Sequence, residues 1–143
     1  MRSRRDDGYE CDDDATRLDL DLIHGWLSED AYWALGRSRE TVERSIAGSV
    51  NIGLYRPDGV LVGFARMVTD RATFVWLCDV YLDPAERGKG LGTWLVATAC
   101  DLARTWGPRR MILATNDAHG IYAKLGFTGM TEPHKWMELR LKP

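Results

Sequence analysis

A glycine-rich turn between an apolar strand and an apolar helix is the feature that most constrains the fold of this chain. The stretch runs from Val80 to Trp94 and reads VYLDPAERGKGLGTW. An apolar, β-prone run ends at Asp83-Pro84, and apolar residues with helical spacing begin at Leu91. The pattern predicts a strand, a short basic loop and a helix N-terminus in direct succession.

This loop is suited to binding a diphosphate. The first N–H groups of a helix have no intrahelical partners and lie at the positive end of the helix dipole, where phosphate binds well. Arg87 and Lys89 add positive charge, and Thr93 offers a hydroxyl. Glycines at positions 88, 90 and 92 let the backbone approach a ligand closely and adopt positive φ angles.

Two common phosphate-binding motifs do not fit the loop. The Walker motif requires Ser or Thr after Gly-Lys, but Gly90 follows here, and the third glycine of the dinucleotide fingerprint is replaced by Thr93. The pattern that remains is Arg-x-x-Gly-x-Gly, formed by Arg87, Gly90 and Gly92. It resembles the coenzyme-A pyrophosphate loop of the GCN5-related N-acetyltransferase (GNAT) family.

A second motif strengthens the resemblance. The run from Ala118 to Phe127, AHGIYAKLGF, is similar to the family's Ala-x-x-Leu-Tyr-x-Lys-x-Gly-Phe helix, with Ile121 in place of Leu. Thr115 stands where the family often has Asn, and Asn116 lies one residue further on. The resemblance is good over residues 60–127 and holds only in outline before them.

The resemblance implies an α/β (α+β) fold and a cosubstrate site. The expected sheet is mixed and mostly antiparallel, with about six to seven strands, splayed at its central parallel pair and accompanied by about four helices. Residues 1–143 would form one domain, with acetyl-CoA as cosubstrate. Its expected contacts are Val80, Tyr81, Leu82, Arg87, Gly88, Lys89, Gly90, Leu91, Gly92, Thr93, Thr115 and Asn116.

Periodicity gives the remaining elements. Strands are predicted at residues 50–55, 60–68, 73–82 and 110–115, and helices begin near residues 16, 38 and 91. The charged residues 1–14 are expected to be partly frayed, with a short edge strand at Tyr9–Cys11. The alternating segment Trp136–Leu141 is expected to form an edge hairpin with Phe127–Met130.

Two residues are the main catalytic candidates. Tyr122 occupies the family's general-acid position, and the alternative is a tyrosine that only packs. Asp79 interrupts an apolar strand, and the alternation of a strand predicts that it shares a face with Leu77 and Tyr81. Its carboxylate could act on the acceptor amine, as a general base or as an ammonium anchor. The alternative is a structural ion pair with Arg66. A weaker candidate base is His119, three residues before Tyr122. The backbone N–H groups of Val80 and Leu82 are expected to polarise the acyl carbonyl.

The region before the first long strand is expected to supply the acceptor site. Trp26, Tyr32, Trp33 and Arg37 are candidate wall residues, together with Arg66 and Asp79. The alternative is that Trp26 belongs to the core and Trp33 packs under a loop.

Composition and charge disfavour several classes of protein. A net charge of -2 argues against a nucleic-acid partner. Three distant cysteines and three scattered histidines give no metal or disulfide spacing. No apolar run approaches ~18 residues and no signal-peptide core is present. We therefore expect a cytoplasmic protein without metal or membrane partners.

The resemblance implies an acetyl-CoA-dependent N-acetyltransferase that acetylates a primary amine directly. Asp79 and the neighbouring aromatic residues favour a small-molecule amine. The alternatives are a non-catalytic acyl-CoA-binding module with a regulatory role and a protein acetyltransferase acting on lysine or an N-terminus. Exposed edge strands near the C-terminus make a homodimer a further expectation.

Overall fold

The computed structural model describes residues 1–142, which form one six-stranded mixed sheet with four α-helices. The strands are β1 (Arg2–Arg4), β2 (Glu10–Asp12), β3 (Val50–Tyr55), β4 (Leu61–Thr69), β5 (Val75–Leu82) and β6 (Met111–Ile112). The helices are α1 (Leu20–Glu29), α2 (Arg39–Ala47), α3 (Leu91–Arg104) and α4 (His119–Lys124). Neighbouring strands pair in chain order, antiparallel except for β5 and β6, which are parallel. The predicted fold class is confirmed.

Helix α2 begins where its capping residue predicts. The Ser38 hydroxyl accepts a hydrogen bond from the N–H of Thr41, and Val42 and Ile46 are buried. Helix α1 begins at Leu20, later than the apolar spacing predicts, because Asp19 caps it by accepting from the N–H of Leu22. Both helices pack against one hydrophobic cluster on the sheet.

Helix α3 supplies a second hydrophobic cluster. Leu91, Leu95 and Ala99 are completely buried against β3, β4 and β5. Each fully buried leucine contributes roughly 1.5–3 kcal/mol relative to an exposed one. This packing fixes the start of α3, and therefore the loop that precedes it, against the central strand.

Strand β5 contains a bulge at Asp79. On β4, Phe64 pairs with Tyr81 and Arg66 pairs with Cys78, so two residues of β5 lie opposite one of β4. Asp79 has a φ angle of +51°, in the left-handed region that non-glycine residues seldom adopt.

The bulge reverses the side-chain alternation of β5. Leu77 packs in the cluster around α3, whereas Tyr81 packs in the cluster around α1 and α2. The prediction that Leu77, Asp79 and Tyr81 share one face is therefore wrong, because period two holds only along an unbroken strand.

The parallel pair opens early, as predicted. Strands β5 and β6 pair only at Val75–Met111 and Trp76–Ile112. From Leu77 onward the outer edge of β5 has no partner strand in residues 1–142. A gap lies between the end of β5 and the segment that follows β6.

The charged N-terminus forms two short strands, one of them at the predicted edge strand. Strands β1 and β2 pair with each other, and β2 joins β3 with Cys11 completely buried. The carboxylates of Glu10 and Asp12 are nearly buried because Arg17 donates to them at 2.5 and 2.6 Å. Arg2 and Arg4 also pair with these carboxylates, so the opposite charges of this segment neutralise each other and allow it to fold.

The predicted C-terminal hairpin is wrong. No strand follows β6 in residues 113–142, and Pro133–Lys135 forms a single 3₁₀ turn. Met137, Leu139 and Leu141 are 96%, 82% and 88% exposed. Alternation fixes a strand only when one face can be buried, and this segment has no such face within the described chain.

Replacing Arg17 by Met should destabilise the fold by roughly 2–3 kcal/mol at pH 7, because two nearly buried carboxylates lose their shared partner. Hydrogen bonds from Arg17 lower the pKa of Glu10. Burial alone would raise the pKa of Asp12, but Arg17 and its other partners lower it overall.

A lowered carboxyl pKa adds stability above the ordinary value of about 4, and that stability is lost as the pH falls through the folded-state value. The difference in unfolding free energy between wild type and Arg17→Met should therefore shrink on acidification. Urea titrations at several pH values measure it. Arg104→Met, in a well-exposed pair with Asp101, is the control and should change stability by less than about 0.5 kcal/mol. A difference independent of pH would show that Arg17 acts through packing alone.

Candidate active site

A cleft of about 890 Å³ lies where β5 separates from β6. Its walls come from residues 30–37, 76–82, 87–96 and 113–122 together with Arg66. The predicted site residues that line it are Tyr32, Trp33, Arg37, Arg66, Asp79, Val80, Tyr81, Leu82, Arg87, Gly88, Gly90, Leu91, Gly92, Thr93, Thr115 and Tyr122. The predicted residues that do not are Trp26, Lys89, Asn116 and His119.

The turn before α3 has the geometry of a phosphate cradle. Gly88 and Gly90 have φ angles of +84° and +73°, and a Cβ added at either would meet no atom within 4 Å. Gly90 is the N-cap of α3, and no side chain caps the helix. The first N–H groups of α3 are therefore open to a ligand, with the exposed Arg87 beside them.

Lys89 does not contribute its charge to the cradle. Its ammonium group donates to the carboxylate of Glu86 at 2.9 Å and to the hydroxyl of Tyr9 at 3.2 Å. The sequence prediction for Lys89 is corrected because the carboxylate of Glu86 is buried and requires a cationic partner.

Two residues of the turn between β1 and β2 brace this loop. The Arg5 guanidinium donates to the carbonyl oxygen of Lys89 at 3.2 and 3.3 Å, and the Tyr9 hydroxyl donates to Glu86 at 2.5 Å. The sequence predicts neither contact, since each residue lies more than seventy positions from its partner.

Asp79 is held on every side by donors. The indole N–H of Trp33 donates to Oδ1 at 2.8 Å, and Arg37 and Arg66 donate to Oδ2, each at 2.8 Å. Burial would raise the pKa of Asp79, but the two guanidinium groups and Trp33 bring it below its usual value. The carboxylate is therefore ionised and occupied, which favours the ion-pair alternative over a role as general base.

Tyr122 has the properties of a general acid. It lies half-buried in the cleft on α4, with its ring edge-on to Phe127 at a centroid distance of 5.7 Å. Burial, with Tyr32 and Asp117 nearby, raises the pKa of its phenol. The hydroxyl therefore stays protonated at neutral pH. His119 is exposed on the same helix and outside the cleft, which disfavours it as a base.

Backbone N–H groups of β5 point into the gap. The N–H of Asp83 donates to the carbonyl oxygen of Val62 on β4 at 2.8 Å. Alternation along the strand directs the N–H groups of Leu82 and Val80 to the opposite edge, which faces the gap. This placement agrees with their predicted use as carbonyl polarisers or cosubstrate contacts.

The far end of the cleft is covered by the loop between α1 and α2. The Tyr32 hydroxyl accepts a hydrogen bond from the backbone N–H of Asn116 at 2.8 Å, which joins the two rims. Trp26 stacks on Tyr81 with a distance of 5.2 Å between the ring centroids, and it lies outside the cleft. Trp26 is therefore a core residue rather than a wall of the acceptor site. The Tyr81 hydroxyl donates to Asp30 at 2.6 Å.

Two further groups limit the chemistry. Burial raises the pKa of the Cys78 thiol to about 11, so this cleft residue is a poor nucleophile at neutral pH. The Thr115 hydroxyl accepts from the N–H of Ala118 at 3.2 Å and so helps to shape the start of α4. Within residues 1–142, no cluster of three potential metal ligands occurs, and no helix has the length and hydropathy to cross a membrane.

Comparison with known proteins places this geometry in a family. The model of the acetyltransferase (GNAT) family matches residues 20–127. A protein of Gibberella zeae named as acetyltransferase FG08082 is 29% identical over 135 residues, which cover 81% of this chain and 76% of that protein.

Solved structures agree. A structure described as an acetyltransferase of the GNAT family from Xanthomonas campestris pv. campestris has 39% identity and a TM-score of 0.88, with 93% of each chain covered. The N-acetylglutamate synthase of Neisseria gonorrhoeae, solved with coenzyme A and N-acetyl-glutamate, shares the fold with a TM-score of 0.72 and 24% identity. That match covers 87% of this chain and 29% of the synthase. The chain belongs to the acetyltransferase (GNAT) family of acyltransferase enzymes.

Proposed function

We propose that this enzyme transfers an acetyl group from acetyl-CoA directly to a primary amine of a small molecule. The observation that carries the proposal is one continuous cleft whose walls include the phosphate cradle, the free edge of β5 and Tyr122. A family neighbour solved with coenzyme A supports the choice of cosubstrate.

The residues of the cleft fit acetyl-CoA. The cradle at Arg87, Gly88 and Gly90 would hold the diphosphate, because N–H groups and a guanidinium converge there. The unpaired edge of β5 would hydrogen-bond the pantetheine amides. When bound, acetyl-CoA supplies an activated acyl group as a thioester.

The transfer requires one new bond and one broken bond. A neutral amine nitrogen forms a C–N bond to the acyl carbon as the C–S bond breaks, and the Tyr122 hydroxyl gives its proton to the departing thiolate. The amine loses its proton to water, because Asp79 is fully paired and His119 lies outside the cleft. Tyr122 recovers a proton from solvent.

The cover over the acceptor end favours a small molecule. The hydrogen bond between Tyr32 and the backbone of Asn116 bridges the rims, and Trp33 is anchored beneath it to Asp79. A lysine presented by a folded protein would have to displace this bridge. A free amine can enter the same end without such a change.

Replacing Tyr122 by Phe should lower kcat by roughly 10²–10⁴-fold, because the leaving thiolate loses its acid. The affinity for acetyl-CoA should change little, since only one hydroxyl is removed. Thiol release with an amine panel measures turnover, and calorimetry measures affinity.

The matched control is Tyr55→Phe, which deletes a buried hydroxyl without a hydrogen-bond partner in the described chain and outside the cleft. Its turnover should equal that of the wild type. Wild-type turnover in Tyr122→Phe would remove Tyr122 from the mechanism, and binding of acetyl-CoA with no thiol release for any amine would favour the regulatory module.

We also propose a homodimer formed through the C-terminal segment. Met137, Leu139 and Leu141 are exposed and alternate along the C-terminal segment, and the outer edge of β6 has no partner strand within residues 1–142. A second copy offers the same free edge and the same segment, so a two-fold exchange would satisfy both.

Light scattering after gel filtration should therefore give the mass of a dimer at micromolar concentration. Leu139→Lys should shift the protein to a monomer, because a charge replaces a buried apolar contact. Arg140→Lys, which keeps the charge on the neighbouring position, is the control and should remain dimeric. A wild-type monomer over a wide concentration range would contradict the proposal.

A further inference from the structure

We infer that the acceptor amine also carries an anionic group, a carboxylate or a phosphate, which binds Arg37 and Arg66 at the covered end of the cleft. The inference rests on the proposed function and narrows its substrate class. It also replaces the predicted role of Asp79 as an ammonium anchor, because that role requires a free carboxylate.

Charge at this end of the cleft is the first argument. Arg37 and Arg66 both line the cleft, and both donate to the single carboxylate of Asp79. Two guanidinium charges against one carboxylate leave an excess of one positive charge. The side chains of Arg37 and Arg66 are only 21% and 13% exposed, so solvent screens this excess weakly.

Unused hydrogen-bond donors are the second argument. Within residues 1–142, Arg37 donates to a side chain only through Nη1, which leaves its Nε and Nη2 groups without a protein partner. Arg66 donates through Nε to Asp79 and through Nη1 to Ser49, which leaves its Nη2 group free. A guanidinium presents its donors in a planar fork that matches a carboxylate or phosphate.

The phosphate cradle does not explain these donors. Arg87 and the N-terminus of α3 form a separate positive site beyond the end of β5, and they would bind the diphosphate of acetyl-CoA. Arg37, on the loop that covers the acceptor end, and Arg66, on β4, lie instead around the bulge at Asp79. The cleft therefore has two positive sites for two different anions.

Two carboxylates in the lining of the cleft can attract the ammonium group of the acceptor. Asp30 and Asp117 also line the cleft, and Asp30 accepts a hydrogen bond from Tyr81. Negative charge there favours the approach of an ammonium group. A molecule with both charges, such as an amino acid or an amino-sugar phosphate, matches the arrangement.

The first test compares acceptors that differ only in the anion. Thiol release from acetyl-CoA is measured for three pairs of amines. These are β-alanine against β-alaninamide, glutamate against glutaminamide (both carboxyl groups amidated), and glucosamine 6-phosphate against glucosamine. The anionic member of at least one pair should have a kcat/KM roughly tenfold or more higher, the effect of one or two charge-assisted hydrogen bonds. The first two pairs identify a carboxylate, and the third identifies a phosphate. Equal rates within every pair, or faster reaction of the uncharged members, would overturn the inference.

The second test changes the protein. Arg37→Gln should raise KM for the preferred anionic acceptor roughly tenfold or more relative to KM for its uncharged analogue, so the ratio of the two kcat/KM values should fall. Arg37→Lys, which keeps the charge, should recover part of the discrimination. The control is Arg39→Gln, because Arg39 forms ion pairs with Asp21 and Glu43 outside the cleft. Unaltered discrimination in Arg37→Gln would show that Arg37 does not bind the anion.

Different results would reject the proposed acetyl transfer and the proposed anion site. Absence of acetyl-CoA binding and of thiol release with every amine would reject the proposed function and this inference with it. Turnover of charged and uncharged amines at equal rates would reject the anion site alone. Thermal unfolding of each variant identifies any substitution that fails to fold, and the acceptor pairs on the wild type need no variant.

Discussion

The ion pair of Asp79 with Arg37 and Arg66 is the interaction on which the rest of the structure depends. Asp79 adopts a left-handed backbone conformation in the middle of a strand, which costs roughly 1–2 kcal/mol for a residue with a Cβ. Its buried carboxylate would also be unfavourable without partners. The donors from Trp33, Arg37 and Arg66 stabilise the ionised carboxylate against both costs, because hydrogen bonds to charged groups contribute about 1.5–3 kcal/mol each.

The position of this network explains the shape of the cleft. The bulge exchanges the faces of β5, so that Leu77 packs under α3 and Tyr81 packs under α1. Past Trp76, β5 no longer pairs with β6, and its free edge faces the cleft. The same network anchors the loop between α1 and α2 over one end, while the brace from Arg5 and Tyr9 holds the phosphate loop at the other.

Local features of the site were predictable from the sequence, and long-range pairings were not. The loop from Arg87 to Gly92 and the helix carrying Tyr122 are continuous motifs whose glycines and caps act within a few residues. Lys89 pairs with Glu86 only three positions away, but the local pattern does not show that Glu86 is buried and also accepts from the distant Tyr9. Whether the carboxylate of Asp79 is free or paired depended on two arginines. Only one of them, Arg66, lies on the neighbouring strand.

The two ends of the chain differ from their predictions for other reasons. Charge density at the N-terminus predicted fraying, but Arg17 pairs with Glu10 and Asp12 and lets β2 join the sheet. Alternation from Trp136 to Leu141 predicted a hairpin, but alternation specifies only a face and not the strand that covers it.

The most direct measurement is a calorimetric titration of the protein with acetyl-CoA, made beside the variants Arg87→Ala and Lys89→Ala. Both variants remove one positive charge from the same loop, but only Arg87 lines the cleft, whereas Lys89 is paired with Glu86. Micromolar binding by the wild type, roughly tenfold or more weaker for Arg87→Ala and nearly unchanged for Lys89→Ala, is the expected result. No binding by the wild type, or an equal loss in both variants, would contradict the assignment of the loop as the diphosphate site.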